Sequence, residues 1–177
     1  EADESDGSFS RLNPTVAVVT NIDPEHLDHH GSFDQLKQAF RDFVASIPFY
    51  GFASLCIDHP TVQRMIADIP ERRIISYGFS ASADVRGINL RPDNDSMIFD
   101  AMVSKRISDQ GIIEGFRLPM LGDHNVLNTL AAISVCLEMG IDADKILHAV
   151  SQFKGVGRRF DRKGSVSDIT IIDDYGH

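Results

Sequence analysis

A chain of 177 residues, 42% of them apolar and 24% charged, has the material for one domain with a full core and not the composition of a disordered segment. Its formal charge of -9 argues against a surface made to grip nucleic acid or anionic lipid, and no apolar run approaches the length that crosses a bilayer. The opening residues are acidic, the reverse of a targeting segment. Cys56 and Cys136 sit inside apolar runs and read as buried thiols rather than a disulfide, all of which fits a reducing cytoplasm.

Taken in chain order, residues 15 to 22 read as a buried parallel strand. Ser32 then caps a helix on which Phe33, Leu36, Phe40, Phe43, Val44 and Ile47 recur at helical spacing, and Pro48 stops it. Residues 52 to 58 form a second buried strand. Pro60 opens a helix with Val62, Met65, Ile66 and Ile69 inward, and residues 73 to 78 make a third strand. Strand, helix, strand, helix, strand predicts an α/β fold: a mainly parallel sheet flanked by helices.

The pattern then changes. Residues 84 to 92, 96 to 104 and 111 to 119 read as strands joined by short turn-rich loops, which predicts a small antiparallel β-sheet appended to the parallel one. Residues 125 to 139 make a helix apolar almost all round and therefore deeply buried, begun by Asp123 or Asn125 and ended by Gly140. Asp142 caps a further helix with Ile146, Leu147, Val150 and Phe153 inward. A final strand, residues 169 to 172, ends in Asp173 and Asp174.

Several polar groups fall where such folds place ligands, at the ends of apolar strands. Glu1, in Glu1-Ala2-Asp3-Glu4-Ser5-Asp6, and His26, after the first strand, suit a divalent ion that also binds phosphate oxygens. His26 with Asp28, His29 and His30 also permits a metal-dependent phosphohydrolase, while His59 and His148 read as surface or packing histidines. Asn125 and Asn128 share one helix face, so their amides are placed to address the edge of a base. Gly155 and Gly157 flank Arg158 and Arg159, a pair suited to phosphate. Vicinal Asp173 and Asp174 at a strand end call for a hydrogen-bonding or cationic partner. The polar motifs at both termini read as a piece of a longer protein, and no GxxxxGK[ST] loop occurs.

Together, Glu1 to Asp6, Thr20-Asn21-Ile22-x-x-x-His26, His124-Asn125-x-x-Asn128, Gly157-Arg158-Arg159-Phe160 and Asp173-Asp174-Tyr175-Gly176-His177 resemble the Mur ligases of peptidoglycan synthesis. The forms of the first and last motifs point to the branch that joins L-alanine to UDP-N-acetylmuramate. The resemblance implies a three-domain, ATP-dependent ligase of which residues 1 to 177 are the greater part of the central ATP-binding domain. The P-loop segment, the UDP-binding domain and the amino-acid-binding domain would lie outside this chain, which alone should not turn over. It implies Mg2+ (or Mn2+) held by Glu1 and His26, with Asn125 and Asn128 near the adenine. Arg159 would reach ATP, Asp174 the ribose, and Tyr175 and His177 would face the amino acid. The carboxyl-activating lysine of sister ligases has no assigned counterpart, Lys37 included. A non-catalytic nucleotide-binding domain remains the alternative outside enzymes.

Overall fold

Apolar runs that need cover on both faces set the architecture. β2 (Phe52–Cys56) is buried at all five positions, and β1 (Val16–Val19) and β3 (Ile74–Gly78) pair with it in parallel. The computed structural model describes residues 5–25, 30–69, 71–155, 161–167 and 169–173. The parallel order continues to β4 (Val85–Asp93) through a short ladder, Tyr77 with Val85 and Gly78 with Arg86. β5 (Ser96–Val103) and β6 (Ile112–Leu118) then add antiparallel, so the meander is fused to the parallel strands in one six-stranded sheet ordered β1 to β6.

Helices cover both faces, as the alternating pattern requires. Ala53 and Leu55 of β2 join a core with Leu36 and Val44 of α1 (Phe33–Ala45) and Val62 and Met65 of α2 (Pro60–Ile66). Phe52 and Cys56 join the opposite core, with Val126, Leu130 and Ile133 of α3 (Asp123–Glu138) and Ile146 of α4 (Ala143–Gln152). On that second face Ser54 Oγ lies 2.6 Å from Ser134 Oγ, a hydroxyl pair that keeps both polar groups satisfied inside an apolar layer.

The helix ends follow local chemistry. Ser32 accepts from the Gln35 amide at 3.3 Å, the expected cap of α1. Gly140, at φ +76°, ends α3 in a left-handed turn: the Ile141 amide donates to Cys136 O at 2.9 Å and the Gly140 amide to Leu137 O at 3.0 Å. Three expectations are corrected. α3 starts from Gly122 with no side-chain cap, so neither Asp123 nor Asn125 has that role. Asp142 holds the N-cap position of α4 as expected, but its carboxylate pairs with Lys145 Nζ at 3.0 Å and makes no side-chain cap to a backbone amide. Phe153, expected inward, lies past the end of α4 and is 44% exposed.

The last strand belongs elsewhere than expected. β8 (Ile169–Asp173) pairs antiparallel with β7 (Asp161–Val166) in a separate two-stranded sheet. β7 is charged and contains Gly164, so its sequence carries no strand signal.

One carboxylate ties the parallel half to the meander. Asp84, just before β4, accepts from the Ser76 amide at 2.9 Å and Ser76 Oγ at 2.7 Å, and from Ser104 Oγ at 3.2 Å. Arg106 closes on the same carboxylate. Burial works to raise its pKa, but Arg106 and the Ser76 donors outweigh it and hold the carboxyl below its ordinary value. A carboxyl depressed by folding stabilises the native state above its unfolded pKa, about 3.9, and loses that contribution as pH falls through the folded value. Asp84→Ala should therefore lower stability by about 2 kcal/mol at neutral pH. The gap from the parent should narrow as denaturant titrations are repeated at increasingly acid pH below about 4.

Candidate functional site at the carboxyl ends of the parallel strands

Because β1, β2 and β3 run parallel, all three deliver their carboxyl ends to one edge of the sheet, where open α/β folds bind ligands. Tyr77 braces that edge from inside. It is fully buried in β3, and its hydroxyl donates across β2 to the Val19 carbonyl at 3.3 Å. Burial pushes the phenol's pKa far up, so it stays a neutral donor.

The turn after β2 is fixed by Asp58. Its carboxylate accepts from the amides of Phe79 (2.5 Å) and Ser80 (3.0 Å) and from Ser80 Oγ (2.6 Å), which binds the exit of β2 to the exit of β3. Gly78 makes this possible. At φ +155°, a Cβ there would lie 2.5 Å from Asp58 Oδ1. Beside it, His59 Nε2 lies 3.1 Å from Asp23 Oδ1, joining the exit of β2 to that of β1. His59, read from sequence as a surface or packing histidine, thus links two strand exits. The signal that would have found it is its place at the end of an apolar strand, the criterion applied to His26.

A groove of about 500 Å3 runs beside β1, which is the edge strand of the sheet. Phe9, Phe40 and Phe43 form its apolar lining, and Thr20, Asn21, Asp23 and Glu25 supply polar groups where the chain leaves β1. Ile22 is buried and anchors that segment in the core shared with α1 and α2. Among the described residues, the polar side chains of the lining offer oxygen as the metal donor, which fits a hard divalent cation with phosphate better than zinc. Cys56 is buried and its thiol pKa is pushed up by that burial, so it adds no soft ligand. Among the described residues no three His, Cys, Asp or Glu side chains converge as a metal set.

Of the residues singled out from sequence, Asn125 and Asn128 are described, and they lie in the first turns of α3. Asn125 is half-buried and its Nδ2 donates to Leu121 O at 2.7 Å, which leaves its Oδ1 as the acceptor available to a ligand. Asn128 is exposed. Glu1, His26, Asp28, His29, Arg158, Arg159, Asp174, Tyr175 and His177 lie outside the described residues. His30 is half-buried, its ring 6.4 Å from that of Phe9. Lys37 pairs with Asp34 at 2.5 Å and stands over the Phe33 ring, a local role on α1. Asp173 sits on the separate hairpin, 3.5 Å from Lys163 Nζ, and not on the rim of the main sheet where the sequence pattern put it. Replacing Gly78 by Ala should cost about 1–3 kcal/mol through the clash with Asp58, visible as a lowered denaturation midpoint.

The family profile of the Mur ligase middle domain matches residues 2–136. A UDP-N-acetylmuramate–L-alanine ligase from Cereibacter sphaeroides is 54% identical over 177 residues, all of this chain and 37% of that protein. The chain therefore spans well under half the length of the curated relatives it matches. Among solved structures, the UDP-N-acetylmuramate-alanine ligase of Thermotoga maritima superposes with a TM-score of 0.78 at 25% identity, over 99% of this chain and 38% of that one. A MurF ligase from Thermotoga maritima, solved in complex with ADP, shares the fold with a TM-score of 0.73 at 18% identity, over 92% of this chain and 35% of its own.

Proposed function

The chain belongs to the Mur ligase family, and from that premise we propose that it is the greater part of the central, nucleotide-binding domain of an ATP-dependent ligase joining L-alanine to UDP-N-acetylmuramate. The observation that carries this reading is the 54% identity, running the whole length of the chain, to a ligase of that name. The oxygen-lined exit of β1 is the physical counterpart, a site suited to phosphate and a hard cation.

In this reading the sugar's carboxylate oxygen attacks the γ-phosphorus of ATP, ADP leaves, and an acyl phosphate forms. The amine of L-alanine then attacks the acyl carbon, phosphate leaves, and the amide nitrogen gives up a proton. Protein groups in such a reaction chiefly position the reactants and meet developing charge. Glu1 and His26 would hold Mg2+ (or Mn2+), which neutralises charge on the transferred phosphoryl group when bound. Asn125 Oδ1 accepts from the base, with Asn128 beside it on the same helix face. Arg159 contacts the phosphates, Asp174 the ribose, and Tyr175 and His177 the alanine end of the cleft. The product would serve peptidoglycan synthesis in the cytoplasm. Among the described residues no helix is long and apolar enough to cross a membrane.

The test uses the complete enzyme, with phosphate release measured in the presence of UDP-N-acetylmuramate and L-alanine. Asn125→Ala should raise KM for ATP about tenfold, the equivalent of one lost hydrogen bond, and leave KM for alanine unchanged. His26→Ala should abolish turnover with ATP binding nearly intact. Phosphate release indifferent to alanine, or an Asn125→Ala defect confined to alanine, would contradict the assignment.

A further inference from the structure

The two partners in the Asp23–His59 contact differ in how firmly they are held. The backbone of His59 is fixed at the junction of β2 and α2. The Ile57 amide donates to Tyr77 O at 3.0 Å, the Gln63 amide donates to His59 O at 2.9 Å, and Pro60 sets the first turn of α2. Asp58, the residue before it, is locked onto Phe79 and Ser80. The ring therefore projects from a rigid base.

The segment after β1 is the opposite. Residues 20–25 belong to no helix or strand, and Ile22 is their one buried side chain. Among the described residues, the bond from His59 Nε2 to Asp23 Oδ1 is the one side-chain hydrogen bond those residues make. It is also the last described side-chain hydrogen bond before the chain reaches His26.

The other ring nitrogen sharpens the point. His59 Nδ1 is buried and has no hydrogen-bond partner among the described residues. An orphaned buried nitrogen is destabilising, and an apolar side chain of similar size would fill the space without that penalty. The contribution of the ring therefore lies at Nε2 and its hold on Asp23.

We propose that His59 is a positioning residue of the ligase site. Its Nε2 pins Asp23, and through Asp23 the exit of β1, so that residues 20–25 meet the nucleotide in one arrangement. This inference rests on the ligase reading and assigns His59 no contact with substrate.

The experiment compares the full-length ligase with His59→Ala, His59→Gln, Asp23→Ala and the double alanine variant. In His59→Ala, amides of residues 20–25 should exchange with deuterium about tenfold faster while those of β2 keep their protection. Turnover should fall about tenfold with KM for ATP within twofold of the parent, since the phosphates lose alignment rather than affinity. His59→Gln should restore both readouts to within about threefold, because the Gln amide nitrogen reaches the place of Nε2. The double variant should be no worse than either single one. Should His59→Ala fail to fold, Asp23→Ala, at an exposed position, carries the same expectations.

Unchanged exchange at residues 20–25, unchanged kcat, additive defects in the double variant, or a Gln variant no better than Ala would each overturn the proposal. A parent enzyme that fails to couple alanine would overturn the ligase reading instead, and the exchange comparison would still decide the tie.

Discussion

A sheet buried on both faces is the constraint from which the rest of this structure follows. β2 has no exposed position, so helices must close over it from two sides, and the chain must cross from strand to strand through those helices. Crossovers of that kind make neighbouring strands parallel, and parallel strands place their carboxyl ends together. The convergence of polar groups at the exits of β1, β2 and β3 is thus a consequence of core burial. The site did not require a separate folding device.

Polar groups near that edge divide into two kinds. Tyr77, Asp58 and Asp84 spend their hydrogen bonds on the protein itself: across β2, between two strand exits, and between the parallel half and the meander. They make the scaffold stiff where a ligand would sit. Thr20, Asn21 and Glu25 are exposed and make no side-chain hydrogen bond among the described residues, so they face the groove with their valences open. His59 stands between the two kinds, rigid at its backbone, with a partly buried ring whose Nε2 meets Asp23. A site with a fixed inner ring and an open outer one is what charge stabilisation without reorganisation needs.

The sequence disclosed the parallel strands and α1 well, because their signals were local. Thr15 to Ile22 is apolar over a strand's length, Ser32 sits one residue before a helical stripe, and Gly140 follows one. What it hid depended on contacts between distant residues. Asp84 looks like an ordinary turn carboxylate until Ser76, Ser104 and Arg106 are folded around it. His59 looked unremarkable because its partner lies 36 positions away in the chain. The hairpin of β7 and β8 was missed because Asp161 to Val166 has no alternation and Val166 as its single β-branched residue, and pairing with the apolar β8 decides its conformation. The motifs that carried the family resemblance were legible as an ordered set. Of their key residues, Asn125 and Asn128 are described, in the first turns of one helix.

The central claim is that nucleotide phosphates lie at the exit of β1, with the adenine at the start of α3. Its most direct test is a crystal structure of the full-length enzyme with Mg2+ and a non-hydrolysable ATP analogue. The γ-phosphate should lie beside residues 20–26, with Asn125 Oδ1 within hydrogen-bond reach of the base amine. Nucleotide bound at the amino-terminal edge of the sheet, or on the outer face of α1 and α2, would contradict it.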